Sequence, residues 1–178
     1  MNEQQLTHKK VYECFFMELF EDDVRLPSGE ISTRIYIEHP GAAAVLPVLE
    51  DGRVLLIRQF RYPIHAVTLE IPAGKKDDSL ETGLACVKRE LEEETGHRAA
   101  RYEHVMDIHN CLGYSDERIE LFIAYDAYPV SDALEADDDE CIEVETYDLS
   151  GIKTLLSTGQ ITDAKTIIML QHYIGIQQ

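Results

Sequence analysis

Between Thr82 and Gly96 the chain changes period. On either side, apolar residues alternate or run together as in strands. Within it, Leu84, Val87 and Leu91 recur three and four apart, the spacing of one helical face. Thr82 stands where an N-cap hydroxyl belongs, and Gly96 where a left-handed C-terminal stop belongs. The helix so bounded carries Arg89-Glu90-Leu91-Glu92-Glu93-Glu94-Thr95-Gly96, in which four of eight residues are glutamate. Like charges on adjacent turns repel, so a fold that holds this helix must neutralise its acidic edge or leave it in water.

At helical spacing the charges separate. Arg89 and Glu93 are four apart, as are Glu90 and Glu94, while Glu90 and Glu93 are three apart. Glu90, Glu93 and Glu94 therefore converge on one edge, with Arg89 beside them and able to clamp Glu93. Glu92 falls on the side opposite Glu90, which predicts a solvated charge, and the stripe of Leu84, Val87 and Leu91 buries the other flank. Spacing alone leaves two readings of the acidic edge. One is a solvated face with a single salt bridge. The other is a site for a hard divalent cation, Mg²⁺ or Mn²⁺, whose charge relieves the crowding of carboxylates.

Around this helix the chain reads mostly as strands. VYECFFMELF (11–20) and ISTRIYI (31–37) are β-rich and flank the turn chemistry of RLPSGE. AAAVLPVLEDGRVLLIRQF (42–60) reads as two strands joined at Asp51-Gly52, a hairpin signal. AVTLEI (66–71) alternates until Pro72 ends it, and further strands are expected near 100–109, 119–127 and 141–147. Two helices follow, about 149–157, ended by Gly159, and about 163–174, capped by Thr162 or Asp163. Strands, helix, strands, helices is the order of an α+β or mixed-sheet sandwich rather than of regular βαβ repeats.

Length and charge narrow the function. The 178 residues suffice for one domain with a real core. No apolar run is long enough to predict a membrane span, and MNEQQLTHKK has no apolar stretch behind its lysines, unlike a signal peptide. Cys14, Cys86, Cys111 and Cys141 form no CxxC pair and read as reduced thiols of a cytoplasmic protein. His39, His65, His104 and His109 show no zinc spacing and read as structural or surface residues. A net charge of −18 argues against a nucleic-acid partner, since phosphate backbones need a basic footprint. It is compatible with solubility alone, and it leaves carboxylates spare for cations.

The stretch EIPAGKKDDSLETGLACVKRELEEETGH resembles the Nudix box. That pattern is glycine, five residues, glutamate, seven residues, Arg-Glu, an aliphatic, any residue, Glu-Glu, any residue, glycine and an aliphatic. From Glu81 to Gly96 every fixed position matches. There are two departures: six residues separate Gly74 from Glu81, and His97 replaces the closing aliphatic. The first lengthens a loop, where length is cheaply varied.

The resemblance implies a Nudix fold, a mixed β-sheet sandwiched between helices, of class α+β. Residues 1–40 would form an N-terminal antiparallel β extension and residues 41–178 the hydrolase domain. It implies Mg²⁺- or Mn²⁺-dependent hydrolysis of a nucleoside diphosphate linked to another moiety. By the same resemblance Glu90 and Glu94 are metal ligands, and Glu93 is a further ligand or the carboxylate that accepts a proton. The backbone carbonyl of Ala73 adds a ligand, Glu81 is structural, and Arg89 orients the glutamates of the catalytic group.

The flanks HPGAAAVLPVLEDGRVLLIRQFRYP, LEIPAGK, GYSDERIELFIA and ITDAKTIIML are similar to the ADP-ribose and ADP-sugar pyrophosphatases. This subgroup implies that Arg61, with Arg58 beside it, contacts the nucleotide or phosphates. Without it the two read as surface arginines in an acidic chain. Glu70 would accept bonds from adenine or ribose, or is simply an edge-strand glutamate. Glu117 of GYSDER would be a catalytic carboxylate near substrate or metal, or part of an ordinary acidic loop. In EADDDE, Glu140, with Asp138 second, would bind metal or activate water, or the run is an acidic tip. The subgroup also implies a homodimer through residues 11–37, with Arg34 reaching a partner's site. The substrate expected is a nucleoside diphosphate sugar, foremost ADP-ribose, split to AMP and ribose 5-phosphate. The alternatives are ADP-glucose or GDP-mannose, and a non-catalytic ADP-ribose-sensing domain.

Overall fold

The computed structural model describes residues 1–14, 16–78, 80–134 and 141–177. They form two compact units, Met1–Gly41 with His109–Arg118, and Ala42–Ile108 with Ile119–Gln178.

The first unit is an antiparallel sheet of β1 (Gln4–Gln5), β2 (Lys10–Glu13), β3 (Glu18–Arg25) and β4 (Ile31–Glu38). β3 is central. β4 pairs along its whole length, Glu18 opposite Glu38 through Arg25 opposite Ile31, and β1 and β2 share its other edge. The expected turn closes between β3 and β4, where Leu26 N–H donates to Glu30 O and Gly29 takes φ 92°. The β-rich run 11–20 is shared between two strands, β2 and β3. Cys14 N–H donates to Met17 O, and the chain reverses so that β2 folds back on β3. No glycine or proline marks that turn, so pairing rather than local chemistry sets it. Phe20 and Val24 are buried in this sheet with Asp22, whose carboxylate accepts from Gln5, Lys9 N–H and Tyr36.

The second unit is built on a mixed sheet. Its strands are β5 (Ala42–Leu49), β6 (Val54–Arg61), β7 (Ala66–Glu70), β8 (Ala73–Lys75), β9 (His97–His109), β10 (Arg118–Pro129) and β11 (Ile142–Tyr147). The order is β11-β6-β5-β10-β9, with β7 on β6 and β8 on β5. β5 and β10 are parallel, and the described pairs involving β6, β7, β8 and β11 are antiparallel. Asp51-Gly52 makes the expected hairpin turn, with Gly52 at φ 82°.

Period-two alternation divides the core. Ala43 and Val45 of β5, with Phe122 and Ala124 of β10, meet Cys86, Val87 and Leu91 of helix α1 (Gly83–Thr95). Ala44, Leu46, Leu121 and Ile123 point the other way. They meet Ile152 and Leu155 of α2 (Leu149–Ser157) and Met169, Leu170 and Tyr173 of α3 (Ala164–Ile176). A mixed sheet between helices, α+β in class, is what the sequence led us to expect. Burying this apolar face contributes about 1.5–3 kcal/mol per large side chain.

Two expectations, one for α1 and one for the segment after Pro72, need correction. Leu84 sits at the margin of the stripe and stays 41% exposed, and Cys86 takes its place in the core. β8 was not expected after Pro72, because Ala-Gly-Lys has no strand signal and forms only by pairing with Ala42–Ala44.

Candidate active site

The packed face of α1 leaves the edge bearing Glu90, Glu93 and Glu94 available to the segment that precedes the helix. Thr82 caps α1 by accepting from Ala85 N–H at 3.2 Å, and Gly96 ends it at φ 66°. Glu94 Oε2 accepts from Ala73 N–H at 2.9 Å. The Glu90 carboxylate lies against Gly74, so close that any side chain there would displace it. Gly74 and Glu81 both meet the helix, the first at Glu90 and the second at Arg89.

Arg89 is the hub. Its Nη1 donates to Glu90 Oε1 at 2.6 Å and to Glu93 Oε2 at 3.0 Å. Nε and Nη2 donate to the two oxygens of Glu81 at 3.2 and 3.3 Å, and Nη2 also reaches Lys75 O at 3.1 Å. The Asp77 carboxylate is 3.5 Å from Nε. One guanidinium therefore faces four carboxylates, Asp77, Glu81, Glu90 and Glu93, and negative charge is left over. Burial opposes the Arg89 cation, but the bond to Glu81 and the charge of Glu90 outweigh it and hold its pKa above the usual range. The Cys86 thiol lies under the same loop, 3.5 Å from Gly74 O. Burial first, then the charges of Glu90 and Glu81, push it up to about 12.

Glu90, Glu93, Glu94 and the Ala73 carbonyl are all oxygen donors, and the surplus charge is negative. Such a set fits a hard divalent cation. Glu92, expected in solvent, is instead buried. Arg98 donates to both its oxygens at 2.8 and 2.7 Å and Leu134 N–H donates at 3.1 Å. It does lie on the far side from Glu90, but β9 and the residues after β10 cover that side.

Arg61, at the end of β6, is held by Glu70 on β7. Nε donates to Oε1 at 2.8 Å and Nη2 to Oε2 at 2.9 Å. Glu70 is 3% exposed, and Thr68 and Lys165 bond it as well. Burial raises its pKa, yet the bond from Arg61 and the charge of Lys165 prevail and lower it from 4.5 to about 2. Arg58 donates to Glu145 on β11 at 2.9 Å, and the Tyr147 hydroxyl donates to the same carboxylate.

Arg34 and Glu117 belong to the first unit. Arg34 pairs with Glu3 at 2.5 and 2.9 Å, and Glu117 lies 3.8 Å from His39 Nε2. Glu140 and Asp138 lie outside the described residues. His104, Asp107 and Glu120 gather on β9 and β10, where a His104–Asp107 bond of 2.8 Å and a Lys76–Glu120 bond of 2.6 Å account for them. Lys165 was not singled out from the sequence, and Asp163 was read only as a cap, which it is, accepting from Thr166 N–H at 2.9 Å. The available signal was a lysine two residues after a helix cap, on a helix otherwise apolar at that end.

Known proteins resemble this chain in sequence and in fold. Residues 38–169 match the NUDIX domain family model. The chain is 33% identical to an ADP-ribose pyrophosphatase of Bacillus subtilis (strain 168), over 97% of this chain and 92% of that protein. It is 30% identical to a methanol dehydrogenase activator of Bacillus methanolicus, over 99% of this chain and 94% of that protein. In fold it is similar to a crystal structure of an ADP compounds hydrolase, with TM-score 0.84 at 20% identity, covering 99% of this chain and 96% of that one. Among the described residues no helix is long and apolar enough to cross a membrane.

Proposed function

The chain belongs to the Nudix family and is a Nudix hydrolase, and from that premise we propose that it hydrolyses the diphosphate of ADP-ribose to AMP and ribose 5-phosphate. Hydrolases of this family use divalent metal ions, and we assign Mg²⁺ to this one. The observation that carries the proposal is the cluster of Glu81, Glu90 and Glu93 on Arg89, with Glu94 fixed to Ala73 N–H. The identity with the Bacillus subtilis pyrophosphatase over nearly the whole chain supports the choice of substrate.

Glu90, Glu94, Glu93 and the Ala73 carbonyl would hold the cation. When bound, a divalent cation offsets diphosphate charge and acidifies water. The chain's own residues do the rest. Arg89 keeps Glu90 and Glu93 side by side, so that their positions do not depend on mutual repulsion. Glu93 is the half-buried carboxylate that accepts a proton from the attacking water, with Glu140 and Glu117 as further catalytic carboxylates. Arg61 offers a planar, permanently charged donor to the phosphates, with Arg58 beside it. Glu70, bonded on both oxygens, serves the substrate through Arg61.

We also propose a homodimer in the cytoplasm. Ile31 and Ile35, 63% and 59% exposed on one face of β4, support an apolar contact with a second copy, with Arg34 on the opposite face. Four free cysteines suit a reducing compartment.

The test is a panel of nucleoside diphosphate sugars, including ADP-ribose, ADP-glucose and GDP-mannose, with product analysis in ¹⁸O-water and with Mg²⁺ and EDTA arms. ADP-ribose turned over best, to AMP and ribose 5-phosphate and only with Mg²⁺, is the expected result. Preference for another sugar nucleotide overturns the substrate, and no turnover of any overturns the activity. Light scattering reads the dimer, and a monomer at working concentration removes it.

A further inference from the structure

The carboxylate of Glu70 is met from three sides. Oε1 accepts from Arg61 Nε at 2.8 Å and from Thr68 Oγ1 at 2.5 Å. Oε2 accepts from Arg61 Nη2 at 2.9 Å and from Lys165 Nζ at 2.5 Å. Lys165 is 6% exposed, and its Nζ also lies 3.1 Å from Asp163 Oδ2. That same oxygen accepts from Thr166 N–H at 2.9 Å and Thr166 Oγ1 at 2.6 Å. Thr166 Oγ1 in turn accepts from Ile71 N–H at 2.9 Å. The first turn of α3 is thus stitched to Glu70 at the end of β7 and to Ile71 after it, two residues before Ala73 donates to Glu94.

The charges in this cluster balance, Glu70 and Asp163 against Arg61 and Lys165. A buried lysine needs such partners, because leaving either charge alone is costly. Arg61 and Glu70 already form a complete two-bond fork without it. What Lys165 and Thr68 add is a second donor on each oxygen, so the carboxylate plane cannot turn. A fork on a fixed carboxylate has one orientation. The pair engages Nε and Nη2, and Nη1 takes no part in it. The side chain of Arg61 is 39% exposed; the Glu70 bond raises its pKa, burial opposes that, and the charges of Glu70 and then Glu94 add to the rise.

We infer that Lys165 is a positioning residue for substrate recognition, fixing Glu70 so that Glu70 holds Arg61 with Nη1 ready for a phosphate oxygen. This rests on Arg61 meeting the diphosphate, as proposed above. Lys165 does not itself touch substrate, so its effect passes through Arg61 and vanishes without it.

A double-mutant cycle with ADP-ribose and Mg²⁺ tests this. Arg61→Ala raises KM about tenfold or more, and Lys165→Met raises KM about three- to tenfold with kcat within about twofold. In the Arg61→Ala background, Lys165→Met adds no further change in KM. Lys165→Gln, which keeps a donor for Glu70 without the charge, replaces the methionine variant if that one does not fold. KM effects that multiply in the double variant make Lys165 an independent structural residue and overturn the inference, as does an unchanged KM for the single variant. An unchanged KM for Arg61→Ala is a separate outcome. It removes the reading of Arg61, and the positioning role falls with it.

Discussion

A β-carbon built on Gly74 would stand 1.8 Å from Glu90 Oε1. The Glu90 carboxylate therefore packs directly on the backbone of β8, while Arg89 grips the same oxygen at 2.6 Å. The backbone of β8 is held by its ladder to β5, so a side chain at position 74 would push the carboxylate aside and break its bond to the arginine. Gly74→Ala should raise the Mg²⁺ concentration for half-maximal activity by about tenfold or more, with a folded protein by circular dichroism. An unchanged metal requirement would show that Glu90 is not a ligand.

Glu92 and Glu94 are two residues apart and should fail in opposite ways. Glu94→Gln keeps an oxygen for Ala73 N–H but loses the charge, so turnover should fall about a hundredfold or more while the melting temperature holds. Glu92→Ala leaves Leu134 N–H without this acceptor and Arg98 with Asp132 alone. It should lower the melting temperature by about 2–8 °C, equivalent to roughly 1–2 kcal/mol, with turnover within about twofold. Steady-state rates and thermal melts on both variants check the pair, and near-normal turnover for Glu94→Gln sinks the metal assignment.

Acid should weaken the fold partly through Glu70. Its pKa is lowered from 4.5 unfolded to about 2 folded, so the unfolded chain binds more protons between those values. Its contribution is whole above pH 4.5 and drains away as pH falls towards 2. Glu70→Gln should cost most stability at neutral pH, and the gap from the parent protein should close over that interval. Denaturant titrations at several pH values read it, and a constant gap contradicts the low folded pKa.

Crowded carboxylates on α1 predict that metal stabilises the protein. At Mg²⁺ a hundredfold above its dissociation constant, mass action adds about 2.7 kcal/mol, a rise of about 5–11 °C in melting temperature. Glu90→Gln should remove most of that rise. A melting temperature unmoved by saturating Mg²⁺ counts against a cation site on this edge.

Much of this was legible in the chain. Caps at Thr82 and Gly96, the Asp51-Gly52 turn and the convergence of Glu90, Glu93 and Glu94 all depend on residues within a turn or two of each other. Local geometry decides such relations, so a sequence states them directly. The strand of β5 was legible too, but not that both its faces are buried, nor which helix covers which.

Tertiary structure decided the partners. Lys165 meets Glu70 across 95 residues, and no spacing rule reaches that far. Arg61, Arg58 and Arg34, similar as sequence, proved to be committed to Glu70, Glu145 and Glu3. Glu92 looked solvated because the helix alone leaves it outward, and it is buried because Arg98 and Leu134 close over it. The sequence by itself determined which way each side chain of α1 points, since backbone geometry sets that. Only packing determined what each one meets, since burial and charge pairing depend on segments that the chain brings together when it folds.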